Sequence, residues 1–581
     1  MKFRVLALDY DGTIAQHGKL DPAVKAAIIE ARARGVVVVV VTGRILSELR
    51  KVAGDLSFLD AVVSENGAML SFLSGHSRLI GEPPPAMFLE ELRQRQIDFL
   101  AGECVVESDA SSAPQVLAAI RQLELPLSLL FNRDRLMVLP QGVSKGVGLR
   151  AALATLRLSV HNAIGIGDAE NDHDLLATCE IGVAVAWGSQ ALKERADEVL
   201  EGEGPCAVAS YIRQISEELR LPPERMGRYR LSLGMEKNGH PLKVAVRGRN
   251  VLIAGEVQSG KSWVNGLACE QLILLGYSVC VIDPEGDYRT LESLPGVVVF
   301  TAEDSPPDLP DVARALQHPD MSVIIDLSQI AYEEKVRYLY VLLPMLAALR
   351  RTTGLPHRIV LDEAHYFLHE PNVKDLLDLN LGAYTLVTYR LSDLHPDVRK
   401  AVEAIVVKRI TDPAEVEALV AMAGHPSLEN EWRAILGRLK MNEAAILPAK
   451  GDGGLRRFDL LPRLTSHVRH KAKYLDIQLV PEQGFLFTQD GRPIGAPVRA
   501  LKDFLVPLKV LPLSVLAAHA RRGDFSAWLA GVFHDRLLAS DIRKIEQRFK
   551  QGHTRNLPDL LIRAIKRRYE FSPERLAEDG R

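Results

Sequence analysis

Apolar residues in this chain fall into short unbroken runs, and most of the runs stop on polar clusters. Val5 to Leu8 lead into Asp9 and Asp11, with Gly12 and Thr13 just beyond. Val36 to Val41 lead into Thr42, Gly43 and Arg44; Ala61 to Val63 lead into SENGA; Ala163 to Ile166 lead into Asp168 and Asp172. Runs that are apolar at consecutive rather than alternate positions predict strands buried on both faces, as in parallel sheets. Between the first two runs lies a helical stretch, Pro22 to Arg34, ended by Gly35. A second set of strands starts at Val251 to Ala254 and continues through YSVCVIDPEGDY, SVIIDLS, HRIVLDEAHYFL and YTLVTYR. Past residue 500 the period lengthens. Leu501, Phe504, Leu505 and Leu508 share one helical face, and Phe525, Trp528, Leu529, Val532 and Phe533 share another, with Asp524 as a candidate cap. The pattern predicts two α/β domains followed by a small, mainly helical C-terminal domain.

A length of 581 residues suggests about four domains. The formal net charge of −3 gives no whole-chain reason to expect a nucleic-acid coat protein or a polybasic membrane binder. Five scattered cysteines show neither metal nor redox spacing, and an odd count argues against a disulfide framework. No run approaches the about 20 apolar residues of a membrane span, and the N-terminus runs straight into a core strand. A cytoplasmic protein is expected. The basic stretch Arg563 to Arg568 is read first as a solvated helix face and second as a phosphate-backbone contact.

In the first third, three apolar runs deliver polar residues to one presumed sheet edge, where open α/β sheets place their sites. Two acids and a glycine after a single strand are equally a capped turn; the recurrence of the design favours a site. Asp9, Asp11 and Asp168 suit a hard cation such as magnesium. One carboxylate can attack phosphorus, and a second, two residues on, can act as acid and then base. A hydroxyl and a lysine would hold the equatorial oxygens. LDYDGT, VTGR, SKG and GDAEND, in that order, resemble the four motifs of the haloacid dehalogenase superfamily, closest to its Cof-type and sucrose-phosphatase-like phosphatases. The resemblance covers residues 1–215. It implies a Rossmann-like parallel sheet, Asp9 as nucleophile, Asp11 as acid/base, and Thr42 and Lys145 on the phosphoryl group. It further implies Mg2+ held by Asp9, Asp11 and Asp168, with Asp172 supporting and Asn171 beside them. A small α+β cap is implied at about residues 83–140, with Glu65 and Asn66 near its mouth or, equally, stabilising a loop. A short cap would leave an open site able to admit a large substrate.

Residues 216–249, polar and rich in Pro and Gly, read as a linker with a lead-in hairpin. The strand Val251 to Ala254 then enters Gly255-x-x-x-x-Gly260-Lys261-Ser262, a P-loop in its confirming context before a helix. Backbone N–H groups of the loop, Ser259 and Gly260 among them, would cradle the phosphates of ATP. Lys261 would reach the β and γ oxygens and Ser262 would take magnesium. Asp362 would hold that ion and Glu363 would polarise the attacking water. GEVQSGKS, DPEGDY, DEAH and TYRLSDL resemble the HerA/FtsK-type ATPases, especially the HerA branch, over roughly residues 225–460, with the domain itself expected at 250–470. Tyr389 stands where that family carries a polar sensor, often Gln. The resemblance implies a homo-oligomeric ring, commonly a hexamer, with a trans-acting arginine. Arg409 and Arg390 are candidates, each of which is also readable as a structural salt bridge.

The remaining stretch, 471–581, holds two short strands about Lys473 to Phe487 and then helices, with no catalytic constellation. Three functions stay open: a phosphatase fused to an ATPase, an ATP-driven DNA-translocase-like motor or regulatory ATPase with an accessory phosphatase, and a nucleic-acid end-processing phosphatase/kinase. The substrate is accordingly a phosphorylated small molecule or a nucleic-acid end, and DNA remains open as a partner.

Overall fold

The computed structural model of the protein describes residues 2–132, 134–217, 229–245, 248–302, 305–369, 373–424, 426–448, 454–465, 484–489, 492–532, 536–554 and 556–568. The first sheet has eight strands in the order Glu198–Leu200, Ile181–Val185, Ala163–Gly167, Val5–Leu8, Val37–Val41, Ala61–Ser64, Met69–Phe72 and Ser77–Leu79. Val5–Leu8 is central and runs parallel to both neighbours, Val5 standing opposite Ala163 on one side and Val37 on the other. Parallel pairing in this register brings Asp9, Thr42 and Asp168 to one edge. Both faces are covered, which is why the strands carry no alternation. Leu6, Leu8, Val38 and Val40 pack under Val24, Ile28, Val208 and Ile212. Val5, Ala7, Val39 and Val41 pack under Leu149, Leu153 and Leu175. The helix Pro22–Ala33 starts as its sequence requires, with Pro22 in the first turn and the Asp21 side chain accepting the Ala23 N–H at 2.7 Å.

The cap has its own core around Phe88, Leu92, Val106, Val116 and Leu136. Its four-stranded antiparallel sheet runs Leu127–Asn132, Arg135–Pro140, Val106–Asp109, Phe99–Ala101, and the helices Ala86–Gln94 and Ala113–Gln122 accompany it.

The second sheet has eleven strands: Pro241–Val244, Leu231–Glu236, Arg456–Leu460, Glu443–Pro448, Ala404–Val407, Val251–Ala254, Tyr384–Thr388, Arg358–Leu361, Val279–Asp283, Ser322–Asp326, Val297–Thr301. The seven from Ala404–Val407 onward are mutually parallel, and Val251–Ala254 lies between Tyr384–Thr388 and Ala404–Val407. The expected lead-in hairpin exists, but it is part of this sheet: Leu231–Glu236 pairs with Arg456–Leu460, so the domain begins near residue 231 rather than 250. The rest of the expected linker overlaps residues 218–228 and 246–247, outside the described residues, as does most of the Lys473 to Phe487 stretch.

The helices Leu501–Val510, Leu513–Arg522, Asp524–Gly531, Arg536–Lys550 and Leu557–Arg568 share one continuous apolar core with the second sheet. Phe485, Phe504, Phe525 and Trp528 form its aromatic centre. Asp524 does not cap its helix from outside. Gly523, at φ 79°, takes the cap position, and Asp524 is the first helical residue, 2.6 Å from His519 Nδ1.

Candidate active sites

Asp9 ends the central strand of the first sheet and is buried. Its Oδ1 accepts from Lys145 Nζ at 2.6 Å, and the same ammonium donates to Asp172 Oδ1 at 2.6 Å. Lys145 opens the helix Lys145–Thr155, whose cap is Ser144, so the SKG motif places a lysine on the first turn, aimed back at the sheet edge. Asp172 Oδ2 accepts the N–H groups of Asp168 and Ala169, each at 3.0 Å. Thr13 Oγ1 donates to Asp168 Oδ1 at 3.3 Å. Gly12, at φ 84°, leaves room for that carboxylate: a Cβ there would stand 2.2 Å from Asp168 Oδ2.

Oxygens of Asp9, Asp168 and Asp172 lie within 4.8 Å of one another, all three residues buried. Three carboxylates around one ammonium leave the group two negative charges from neutrality (three minus one). Burial, reinforced by Asp172 and Asp168 and opposed by Lys145, pushes Asp9 well above the usual carboxylate range. For Lys145 burial opposes the charge, yet Asp172 and Asp9 outweigh it and its pKa rises. A divalent hard cation among these oxygens would offset that negative charge, so the donor set fits magnesium.

Asp11 and Asp172 each have further partners. The Asp11 carboxylate lies outside the metal-capable group, because Arg44 holds both its oxygens, Nε at 2.6 Å and the second guanidinium nitrogen at 2.7 Å. Asp172 is within the group, one of its oxygens also engaged by Lys145 and the other by the N–H groups of the loop that carries Asp168. Thr42 is buried at the same edge, and its Oγ1 accepts the Arg44 N–H at 3.2 Å. Glu65 and Asn66 do not line the mouth. Glu65 is buried and accepts the N–H groups of Glu103, Cys104 and Val105 at 3.1, 2.8 and 3.2 Å, pinning the connection between the cap strands Phe99–Ala101 and Val106–Asp109.

Asp9, Asp11, Thr42, Lys145, Asp168 and Asn171 face a cavity of ≈ 310 Å³ that the cap closes with Glu107, Asn132, Asp134, Arg135 and Met137. Sequence reasoning missed these cap residues and the Arg44–Asp11 pair. Arg44 stood in the VTGR motif; the cap residues carried no local signal, since the fold alone brings them over the edge.

In the second domain Gly255 follows Val251–Ala254, and Gly260 turns the loop into the helix Lys261–Leu274 at φ 98°. Lys261 Nζ rests on the Glu256 carbonyl at 3.2 Å and lies 5.6 Å from the centre of the Tyr389 ring. Ser259 is buried in the loop. Ser262 Oγ donates to Asp287 Oδ2 at 2.6 Å, so the DPEGDY segment supplies a carboxylate to the P-loop serine that the sequence reading did not assign. Asp362 and Glu363 are buried at the end of Arg358–Leu361. Glu363 is held at φ 47°, a left-handed conformation unfavourable for a side chain of its kind, beside His365, whose Nδ1 is 3.7 Å from Glu363 Oε2 and 3.1 Å from Thr388 Oγ1. Ser262 Oγ and Asp287 Oδ2, in contact beside the P-loop, are oxygen donors of the kind magnesium takes. Both candidate arginine fingers engage their own chain. Arg390 is buried and donates to the Val532 carbonyl, and Arg409 pairs with Glu256 of the P-loop.

The comparisons with known proteins divide the chain in the same way. Residues 6–79 and 90–212 match the haloacid dehalogenase-like hydrolase family, and residues 241–379 match the central domain of helicase HerA. The chain thus joins a region that matches the haloacid dehalogenase-like hydrolase family to one that matches the HerA central domain. The phosphoglycolate phosphatase of Methanosarcina mazei is 24% identical over 236 residues, covering 36% of this chain and 97% of that protein. The phosphoglycolate phosphatase of Methanopyrus kandleri is 29% identical over 231 residues, covering 36% and 96%. The 5-amino-6-(5-phospho-D-ribitylamino)uracil phosphatase of Bacillus subtilis is 24% identical over 238 residues, covering 36% and 94%. Among solved structures, a haloacid dehalogenase-like hydrolase from Bacteroides thetaiotaomicron aligns at 18% identity and TM-score 0.33, covering 37% of this chain and all of that one.

Proposed function

We propose that the protein is a magnesium-dependent phosphomonoesterase working through an aspartyl-phosphate on Asp9, fused to an ATP-binding and ATP-hydrolysing module. The observation that carries the first half is the buried Asp9, with Lys145 on one oxygen and Asp168 beside it, at the floor of a capped cavity. Magnesium, when bound, offsets charge on the phosphoryl oxygens and on Asp9. Lys145 and the Thr42 hydroxyl hold the remaining oxygens. Asp9 attacks phosphorus while the bond to the leaving oxygen breaks, and Asp11 delivers a proton to that oxygen. Asp11 then takes a proton from the water that attacks the aspartyl-phosphate, releasing inorganic phosphate and restoring Asp9. Arg44 aims the Asp11 carboxylate throughout. Several relatives named as phosphoglycolate phosphatases support a small phosphomonoester as substrate. Asp9→Asn should abolish phosphate release from p-nitrophenyl phosphate with magnesium present; unchanged turnover refutes the assignment.

For the second domain, Glu363 beside Asp362 favours hydrolysis of ATP over transfer to an acceptor, since a kinase has no need of a water-polarising carboxylate. Lys261→Ala should remove ATPase activity and leave the p-nitrophenyl phosphate assay intact. A head-to-tail ring, hexameric in this reading, would complete each nucleotide site with a neighbour's arginine. Arg409, at the rim of the P-loop and partly exposed, suits that role better than buried Arg390. Light scattering with ATP and magnesium tests it, and a strictly monomeric mass with full ATPase activity on dilution would rule it out. No helix among the described residues is long and apolar enough to cross a membrane.

A further inference from the structure

The two domains meet at the ends of their sheets opposite the catalytic edges. On the hydrolase side, His161 and Asn162 immediately precede Ala163–Gly167, the strand that ends at Asp168, and Glu180 immediately precedes Ile181–Val185. On the other side, Leu275 closes the P-loop helix Lys261–Leu274, Tyr277 and Ser278 precede Val279–Asp283, and His357 precedes Arg358–Leu361, the strand that ends at Asp362. All these polar residues are buried.

Their contacts form one network. His161 Nε2 donates to the Leu275 carbonyl at 2.8 Å, and Nδ1 faces the Glu180 carboxylate. Tyr277 donates its hydroxyl to Glu180 at 2.8 Å, and its ring stacks on His161 with centroids 3.8 Å apart. Asn162 Oδ1 lies 3.2 Å from His357 Nε2, and the His357 Nδ1 accepts the Ser278 N–H at 2.8 Å. The fit is close on both sides: a Cβ on Gly354 would stand 2.7 Å from Asn162 Nδ2. A buried polar contact of this density costs desolvation unless every group is partnered, so it resists sliding and fixes one relative placement of the domains.

This placement has two consequences. The catalytic edges point away from each other, separated by two strand lengths and the interface, on the order of 40 Å at about 3.3 Å per strand residue. No phosphoryl group passes directly between the sites. The P-loop helix, however, reaches from the phosphate-binding loop to His161. A helix moves as a rod, so a shift of its N-terminus on gaining nucleotide phosphates appears at the Leu275 carbonyl, and His161 answers at the start of the strand that presents Asp168. We propose that nucleotide occupancy of the P-loop regulates the phosphatase site through the His161–Glu180–Tyr277 contact. The proposal rests on the phosphatase reading given above.

The test follows p-nitrophenol release by the full chain with and without ATPγS and magnesium. Wild-type kcat/KM should change by about fivefold or more, in the range of ordinary allosteric coupling. The change should vanish in Lys261→Ala and shrink in Tyr277→Phe, which keeps the ring and loses the hydroxyl, while Tyr277→Phe retains ATPγS affinity and basal turnover. Inhibition that persists in Lys261→Ala is competition at Asp9 and counts against the proposal. Unchanged kcat/KM at saturating, demonstrably bound ATPγS overturns it. Absent basal turnover refutes the phosphatase reading instead; the coupling then stands or falls on hydrogen exchange, where ATPγS should slow exchange across residues 159–168 and an unchanged profile overturns it. Failure to bind ATPγS at all overturns the coupling and leaves the phosphatase reading standing.

Discussion

Asp172→Asn separates positioning from ligation at the phosphatase site. The side chain is fully buried, and its two oxygens serve different donors: Lys145 on one, the Asp168 and Ala169 amides on the other. Asparagine is nearly isosteric but has one acceptor end and one donor end. Turned one way, its NH2 faces the Lys145 ammonium; turned the other, it faces two backbone N–H groups. Either orientation sets donors against donors, and the lysine keeps Asp9 as its remaining carboxylate. Breaking one side of a buried charge pair costs about 3–5 kcal/mol, which should show as a lowered midpoint for the unfolding of the hydrolase domain. The Asp168 loop loses its tether as well, and loss of an outer support of a metal ligand typically costs about 10–100-fold in metal affinity or activity. The assay is p-nitrophenyl phosphate turnover titrated with magnesium. Half-saturating magnesium should rise within that range, with turnover partly recovered at high magnesium. Wild-type turnover and an unmoved magnesium midpoint would refute the positioning role. An inactive variant with no recovery at any magnesium concentration, though folded by circular dichroism, would restore Asp172 to the ligands.

Three further outcomes are expected. Gly12→Ala forces a Cβ to 2.2 Å from Asp168 Oδ2 at φ 84°; overpacking costs about 1–3 kcal/mol, and phosphatase activity should fall with ATPase activity unchanged. Arg390→Ala removes the donor to Val532 and should lower the urea midpoint of the second domain together with its C-terminal helices, whereas Arg409→Ala should leave that midpoint near wild type. Lys408 is buried and donates to the Met441 carbonyl at 2.8 Å, and burial holds its pKa at about 8 against an ordinary 10.5. The folded state therefore releases this proton before the unfolded chain does, so urea stability of wild type should rise between those two pH values; Lys408→Met should flatten a rise of about 3 kcal/mol at most, and an equal rise in both proteins would refute it.

What the sequence made legible was whatever a strand delivers to its own end. Val5–Leu8 is apolar at every position because both faces are covered, and Asp9 marks where the cover stops; the same holds for Ala163–Gly167 with Asp168 and for Arg358–Leu361 with Asp362. Residues brought in from elsewhere were not legible. Arg44 stood in a visible motif, but nothing local said that it would face Asp11 rather than a phosphate. Glu65 was open between a mouth residue and a loop-stabilising one, and the three backbone amides that claim it, between two cap strands, lie about forty residues on. His161, Glu180, Tyr277 and His357 lie before strands rather than after them, where no catalytic pattern directs attention, and only the packing of two sheets end to end makes them one cluster. The hairpin at 231–244 was expected, but not as part of the second sheet, because its pairing partner, Arg456–Leu460, lies more than two hundred residues on.

The same end-to-end packing decides where each reaction meets solvent. A nucleotide seated on the P-loop occupies the carboxyl edge of the second sheet, and a neighbouring subunit that completed the site would have to approach that edge. Any domain fused to such a unit must dock elsewhere. The hydrolase domain does so at the opposite ends of the strands, held by His161 and Asn162, and its own catalytic edge and cap then face further outward. The C-terminal helices instead reach the strand Tyr384–Thr388 beside the P-loop, where Arg390 joins Val532, next to the Tyr389 that overhangs Lys261. Of the two appended units, then, the helices touch the nucleotide site at its phosphate end, and the phosphatase contacts the opposite end of the domain, at Leu275 after the P-loop helix and at Tyr277 and His357 before the strands Val279–Asp283 and Arg358–Leu361. The second domain leaves the phosphatase's catalytic edge uncovered, and an influence of a P-loop nucleotide on it would have to pass through these far-end contacts.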